Sequence, residues 1–409
     1  MFDSHDSAAA ARRAEQEMIA QRKAAAARWP QLLEEIRQVP GFEDFALPPP
    51  MAKLHEAAGE GTVVAITVTN HGCGALTLTR DTADYLELPD LTAQAALDNA
   101  NAFLGALYPP PDQAVDTAEL MRVLEWLWDA VTGPVLDQLG HTATPADVDS
   151  PQTWPRVWWI PTGALTVLPL HAAGHHNDPP DQRRSVLDRV VSSYTPSVRA
   201  LGDARRAQTR MAPAGLAVGI NQTADPSHRR LRKAEKEASQ VNEWLGGGQL
   251  PLLGQEATHD AVVARLPGAA WAHFSCHGYA DNNDPAQSFL ALYDGPLRAN
   301  ELFTMRLDNA YLAYLSACTT ARGSLGLLDE NIHLASAFQL AGYPHVIATL
   351  WPIIDRVSAD LARDVYAAIH PDPHTWKPPA FALHTTIRTY RDLYLQNPQV
   401  WASHIHLGP

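Results

Sequence analysis

The amino-acid sequence predicts an α/β fold: a mainly parallel sheet with helices on both faces, preceded by a helical and β-hairpin region at the N-terminus. The main observation is a change in the sequence pattern near Arg156, after which short apolar runs alternate with helical stretches. Strands that alternate with amphipathic helices imply a mainly parallel sheet covered on both faces. The apolar runs are VWWI (157–160), LAVGI (216–220), WAHFSC (271–276), YLAYLSA (311–317), HVIATLW (345–351) and ASHIHL (402–407).

The first 50 residues predict helices followed by a stiff connection. Residues 7–29 are rich in Ala, Glu, Gln, Arg and Lys and contain neither Gly nor Pro, which favours one solvent-facing helix over a partner-binding one. A second short helix is predicted over residues 29–39, ending at Pro40-Gly41. Pro48-Pro49-Pro50 then makes the connection and the first predicted domain boundary.

The next hundred residues predict a hairpin and further helices. Two β-rich runs, VVAITV (63–68) and ALTLT (75–79), flank the turn-forming Asn70-His71-Gly72. Residues 92–140 have apolar side chains at helical spacing. The sequence therefore predicts three parts, which are a helical segment (residues 1–50), a hairpin and helical region (51–150) and the α/β core (151–409).

Composition and charge exclude several classes of protein. The 409 residues, 46% hydrophobic and 19% charged, describe a packed globule rather than a disordered or fibrous chain. The formal net charge of -14 argues against direct nucleic-acid binding and against anionic membranes, because both require a basic surface. No run approaches the roughly 20 apolar residues of a membrane span, and the N-terminus lacks the apolar core of a secretory signal.

The cysteine count points to a reducing compartment. Cys73, Cys276 and Cys318 are the three cysteines of the chain, an odd and sparse number that does not form a disulfide framework. We therefore expect a cytoplasmic protein.

Two strand ends carry residues that can do chemistry. One predicted strand finishes at Cys276-His277-Gly278, and another finishes at Ser316-Ala317-Cys318. Functional residues of parallel sheets gather where strands end, because the loops there converge on one crevice. If the two strands are neighbours, His277 and Cys318 face one crevice, as a thiol nucleophile and its acid/base partner require.

Gly278 adds a candidate oxyanion hole. Its backbone can approach a substrate carbonyl closely, and its N–H and that of Cys318 could together hold an oxyanion. Cys276 should point away from His277, because side chains alternate along a strand, and we expect it in the core.

The residues alone leave simpler interpretations open. A cysteine at the end of an apolar strand is usually a small buried hydrophobe, and a strand-end histidine is usually a satisfied hydrogen-bonding residue. A metal hydrolase is a further alternative, since His171 and His175 stand four apart with His176 adjacent. No Glu base lies between them, and Gly174 argues against a helix, so this alternative is weak.

Several ordered blocks resemble the CHAT domain, the caspase-related domain that is often fused to TPR repeats. The resemblance covers roughly residues 30–409. The matching stretches are similar to the CHAT domains of actinobacterial and fungal TPR proteins. No period near 34 residues occurs in the N-terminal segment, so TPR repeats are not expected in this chain. The principal blocks are HFSCHG (273–278), YLSAC (314–318), AFQLAGYPHVIATLWPIID (337–355) and PQVWASHIHLGP (398–409).

The resemblance implies a caspase- and separase-type α/β fold and a cysteine peptidase with a Cys318/His277 dyad. It further implies a protein substrate, a regulatory or sensor protein as an additional partner, no cofactor, and a regulated signalling or defence role. Thr319-Thr320 follow Cys318, where many CHAT sequences have Glu-Thr, a departure that affects the pocket wall more than the dyad. A catalytically idle scaffold that binds proteins is the rival interpretation, since fold alone does not establish activity.

The acids and the loop that follow the candidate strands bear on substrate selection and activation. Related folds use an acidic pocket for Lys or Arg, and four acids lie on segments expected around the crevice. The loop over residues 319–330, which includes Gly323 and Gly326, is expected to order on activation. The acids are Asp294, Asp308, Asp329 and Glu330.

Overall fold

The computed structural model forms two compact units, Met1–Leu54 and His55–Pro409. Within the described ranges, no helix combines the length and apolarity needed to cross a bilayer. The structure describes residues 4–59, 61–207, 214–246, 248–281, 284–316, 318–320, 333–352, 355–370 and 376–409.

Helices and strands alternate through most of the chain. The α-helices of the described residues are α1 (Ser4–Arg37), α2 (Met51–Ala58), α3 (Ala93–Leu107), α4 (Thr117–Leu127), α5 (Gly133–Gln138), α6 (Val198–Arg206), α7 (Ala234–Trp244), α8 (His259–Arg265), α9 (Ala299–Leu302), α10 (His333–Ala341), α11 (Asp355–Ile369), α12 (Pro379–Leu393) and α13 (Pro398–Trp401). The strands are β1 (Thr62–Thr69), β2 (Gly72–Leu78), β3 (Ala83–Glu87), β4 (Arg156–Pro161), β5 (Gly174–His175), β6 (Arg184–Ser185), β7 (Val191–Tyr194), β8 (Gly215–Gly219), β9 (Leu252–Leu253), β10 (Trp271–Ser275), β11 (His277–Tyr279), β12 (Phe289–Ala291), β13 (Pro296–Arg298), β14 (Leu312–Leu315), β15 (Cys318–Thr320), β16 (His345–Thr349) and β17 (His404–Leu407). A π-helical turn, Trp128–Thr132, joins α4 to α5.

The first unit contains one long helix where the sequence predicted two. Helix α1 continues through Pro30, so the predicted break at residue 29 is wrong. Arg28 forms two hydrogen bonds of 2.8 and 2.9 Å with Glu35, and this pair spans the proline. The strong helix formers on both sides offset the one backbone hydrogen bond that a proline removes.

An eleven-stranded sheet forms the centre of the second unit, with the strand order β3-β2-β1-β4-β7-β17-β16-β14-β10-β8-β9. Strands β1, β4, β7 and β17 run parallel, and β16, β14, β10, β8 and β9 form a second parallel set. The two sets meet at the antiparallel pair β16 and β17, and the β1–β2–β3 meander forms one edge. The predicted α/β fold with a mainly parallel sheet is therefore confirmed.

A smaller sheet extends the ends of two central strands. Strand β10 ends at Ser275 and β11 begins at His277, while β14 ends at Leu315 and β15 begins at Cys318. These short extensions form a four-stranded sheet with the order β13-β12-β11-β15. Strands β10 and β14 are buried along their whole length, as expected for strands covered on both faces. The small sheet is thus attached to a rigid, buried support.

Candidate active site

The structure places the two predicted dyad positions side by side. Strands β10 and β14 are parallel neighbours, as the candidate site requires. Their extensions β11 and β15 also pair in parallel, and in this register His277 stands directly opposite Cys318. Two residues 41 positions apart in sequence (318 minus 277) therefore occupy adjacent positions on one small sheet.

The imidazole of His277 is held by a backbone carbonyl. Its Nε2 atom lies 2.5 Å from the carbonyl oxygen of Arg229. A carbonyl oxygen only accepts hydrogen bonds, so Nε2 carries the proton that is donated. In the neutral imidazole, Nδ1 is then the nitrogen with a lone pair, which makes it the atom able to take a proton.

The carbonyl of Arg229 belongs to a well-anchored loop, residues 221–233, between β8 and α7; we call it the basic loop. Asn221 bonds to the loop's far end, because its carbonyl accepts from the Leu231 N–H at 2.9 Å. Its side chain also accepts from the N–H of Glu235 at 3.2 Å. These contacts fix the carbonyl that orients His277 without any help from a substrate.

Aromatic rings surround the His277 imidazole. The ring of His228 lies 5.9 Å from that of His277, and the ring of Tyr279 lies 6.1 Å away, centroid to centroid. His228 stacks on Tyr279 at 5.2 Å, and Tyr279 stacks on Phe289 at 5.0 Å. The hydroxyl of Thr223 in turn bonds Nδ1 of His228 at 2.8 Å. The imidazole therefore has a limited choice of orientation.

Buried polar contacts support the strands beneath the site. On β10, the Ser275 hydroxyl donates to the Glu237 carboxylate at 3.0 Å. His273 Nε2 lies 3.2 Å from the other oxygen of Glu237, and both side chains are almost fully buried. At the end of β14, the hydroxyls of Ser316 and Ser358 are 2.8 Å apart and tie this strand to α11.

The other predicted residues near the dyad occupy different environments. Gly278 is buried in the middle of β11, opposite Leu290 on one side and Thr319 on the other. Cys276 is 1% exposed, so its predicted place in the core is confirmed. Cys73, at the start of the second strand of the hairpin, is also buried.

Two of the four candidate pocket acids are already bonded to neighbours. One oxygen of Asp294 accepts the backbone N–H of His259 at 2.8 Å, at the start of α8. Asp308 pairs with Arg306 at 3.1 Å on an exposed surface. Asp329 and Glu330 lie outside the described residues, as does most of the loop that includes Gly323 and Gly326.

The three histidines of the metal alternative each contact a different partner. His171 Nδ1 bonds the Tyr194 hydroxyl at 3.0 Å, and His176 Nε2 bonds the Ala172 carbonyl at 2.7 Å. His175 Nε2 pairs with Asp129 at 2.8 Å. In the part of the chain that the structure describes, no group of three His, Cys, Asp or Glu is arranged to hold a metal ion.

Two solved structures of separase share this architecture. Two structures of the Saccharomyces cerevisiae separase–securin complex match with TM-scores of 0.59 and 0.60 at 10% identity. Each alignment covers 88% of this chain but only 31% or 30% of the separase chain, so the present chain spans about a third of that length. The complex of the pro- and mature domains of RgpB from Porphyromonas gingivalis gives a TM-score of 0.43 at 10% identity. This alignment covers 72% of the present chain and 69% of the RgpB chain.

The sequence itself also has a family match. No curated protein matches it significantly. The model of one family, described as the CHAT domain, matches residues 121–409, which is most of the chain and includes His277 and Cys318. With its separase-like fold, the chain therefore belongs to the CHAT domain family.

Proposed function

We propose that this protein is a cysteine endopeptidase in which Cys318 is the nucleophile and His277 the acid/base partner. The observation that carries the proposal is the register of β11 and β15, which sets His277 opposite Cys318. A nucleophile and its base on rigid, adjacent supports are the parts that acyl transfer requires, and a third group should orient the base. The Arg229 carbonyl meets the third requirement, since it holds Nε2 of His277.

The bonded state of Nε2 assigns the proton transfers to Nδ1 of His277. The Cys318 thiol gives its proton to Nδ1, and the thiolate attacks the carbonyl carbon of the scissile peptide bond. When the tetrahedral intermediate collapses, the C–N bond breaks and the leaving amine takes the proton from Nδ1. Water then attacks the thioester, giving a proton to Nδ1, and the acid product leaves as the Cys318 thiol is restored.

The charge that develops on the substrate oxygen needs hydrogen-bond donors. We assign this role to the backbone N–H groups of Gly278 and Cys318. A donor of this type contributes about 3 kcal/mol of transition-state stabilisation. Gly278 lies in the strand that also carries His277, so one rigid segment would supply both a proton carrier and an oxyanion donor.

We further propose a reducing location, such as the cytoplasm, and a regulated signalling or defence role. A nucleophilic thiol works only while it is reduced. The two other cysteines, Cys73 and Cys276, are buried and form no disulfide. The substrate is a protein, and a second protein that controls access to the cleft is the expected partner.

Alkylation of the cysteines separates this proposal from an idle scaffold. We expect Cys318 to react with iodoacetamide at pH 7 more than tenfold faster than Cys73 and Cys276, as measured by peptide mass spectrometry. Because accessibility alone could produce that difference, the pH dependence is decisive. The alkylation rate of Cys318 should level off well below pH 8.5, the usual pKa of a thiol. In His277→Ala, the pH at which the rate levels off should be higher.

The idle scaffold gives a different result. Cys318 would then titrate as an ordinary thiol in the wild-type protein, and His277→Ala would leave its rate profile unchanged. His71→Ala is the matched control, because this histidine is exposed at the turn between β1 and β2 and should leave the profile unaltered under either hypothesis.

A further inference from the structure

The basic loop concentrates positive charge in an otherwise acidic protein. The formal net charge of the chain is -14, yet residues 228–233 read His-Arg-Arg-Leu-Arg-Lys. From 221 to 235 there are four basic side chains and two acidic ones, Asp225 and Glu235. The backbone of this basic segment lies at the candidate active site, because the carbonyl of Arg229 bonds the His277 imidazole.

Two of the arginines are available to a ligand. Arg229 and Arg230 are both exposed. Within the described residues, no ion pair joins either guanidinium to an acid. An arginine that is exposed, always charged and held near a cleft by its own backbone is suited to binding a carboxylate through two parallel hydrogen bonds.

The two acids of the basic loop and its flank are engaged elsewhere. One oxygen of Asp225 accepts the Ser227 N–H at 2.8 Å, and the other lies 3.9 Å from His228. Glu235 accepts the backbone N–H of Asn221 at 3.3 Å. Both carboxylates therefore serve the loop's own conformation, and neither is paired with Arg229 or Arg230.

We propose that Arg229 and Arg230 select substrates with an Asp or Glu side chain within two residues of the scissile bond. The inference rests on the proposed function, because it takes His277 as the centre of the cleft. Two residues of an extended substrate span roughly 7 Å, a distance comparable to the reach of an arginine side chain whose backbone contacts the imidazole.

The test uses the full-length protein and fluorescent peptides that differ only in Glu, Gln or Lys at the positions flanking the scissile bond. Cleavage is measured with the wild-type enzyme, and binding is measured by anisotropy with Cys318→Ala, which needs no catalysis. We expect the Glu peptides to be preferred over the Lys peptides about tenfold in both measurements. This preference should weaken as salt is raised.

Charge variants assign the preference to the loop. Arg229→Glu/Arg230→Glu should reverse the order of Glu and Lys peptides, and Arg229→Gln/Arg230→Gln should remove the preference if the reversal variant folds poorly. The backbone carbonyl that holds His277 is present in every variant. Arg80→Glu is the matched control, because Arg80 is exposed and lies between β2 and β3 at the edge of the large sheet.

The possible outcomes distinguish the two proposals. Acidic preference in binding without any cleavage supports the inference while the peptidase proposal fails. Cleavage without charge preference, or with a preference for Lys, overturns the inference and leaves the peptidase proposal intact. An acidic preference that survives both double variants also overturns it, since another part of the chain would then be responsible.

Discussion

Replacing His277 with alanine is expected to lower kcat/KM for a susceptible peptide by roughly 10²–10⁴-fold, the usual contribution of a general acid/base. The loss should fall mainly on kcat, because the imidazole moves protons during the reaction and contributes little to ground-state binding. Its Nδ1 is the nitrogen left to carry them, since Nε2 is bonded to the Arg229 carbonyl. Steady-state kinetics with a peptide found by library screening measures the effect.

His228 provides the matched control for this prediction. Its ring lies 5.9 Å from that of His277, and it packs in the same aromatic group, but the mechanism gives it no proton to move. His228→Ala should therefore reduce kcat/KM less than tenfold. Equal losses in the two variants would show that the histidines act only by packing, and the dyad would be contradicted.

Mild acid is expected to destabilise the fold strongly, by on the order of 10 kcal/mol at pH 5.0, because six buried histidines each cost about 1.4 kcal/mol of stability per pH unit below pH 6.5. Burial lowers the pKa of His171, His345 and His404 to about 3, and that of His176 to about 4. Burial also holds the pKa of His384 and His406 well below the ordinary range. These six side chains are therefore neutral in the folded protein near pH 7.

The direction of the pH effect follows from those shifts. In the unfolded chain a histidine takes up a proton near pH 6.5, so below that pH the unfolded state binds more protons than the folded state. Each such histidine costs about 1.4 kcal/mol of stability per pH unit as the pH falls from 6.5 towards its folded pKa. Stability should be fully present above pH 6.5 and be lost progressively below it.

Denaturant unfolding between pH 7.5 and 5.0 measures this loss of stability. This pH interval lies above the usual pKa values of carboxylates, so they contribute little to the change. A free energy of unfolding that stays constant over this range would contradict the prediction. His345→Gln tests one member of the group, since its Nδ1 lies 3.0 Å from Nε2 of His406, and it should make the pH slope shallower. The exposed His71→Gln should leave the slope unchanged.

The sequence predicted the strands that carry the site because their apolar runs are continuous. The runs at 271–276 and 311–317 became β10 and β14, and both are buried throughout. Strand β7 was not predicted, because Ser192 and Ser193 interrupt its apolar pattern. Both serines have partners in the core: Ser192 accepts from the Trp159 indole at 3.0 Å, and Ser193 lies 2.8 Å from His406 Nδ1. Polar residues that are bonded in this way can be buried without an apolar signal.

Other parts of the site have no sequence signal of their own. Strands β11 and β15 are three residues long, too short for any alternation to be recognised. The group that orients His277 is a main-chain carbonyl, which every residue possesses, so nothing in the identity of Arg229 predicts that role. The sequence analysis made no prediction from the basic run that begins at Arg229, because its position beside His277 depends on the crossover from β8 to α7.

The most direct test of a Cys318-dependent peptidase compares the wild-type protein with Cys318→Ala on a complex mixture of proteins. Both are incubated with a reduced cell extract, and newly formed N-termini are identified by mass spectrometry. A peptidase that acts through Cys318 should produce a reproducible set of termini that is missing with Cys318→Ala. The same set from both proteins, or no new termini from either, would contradict it.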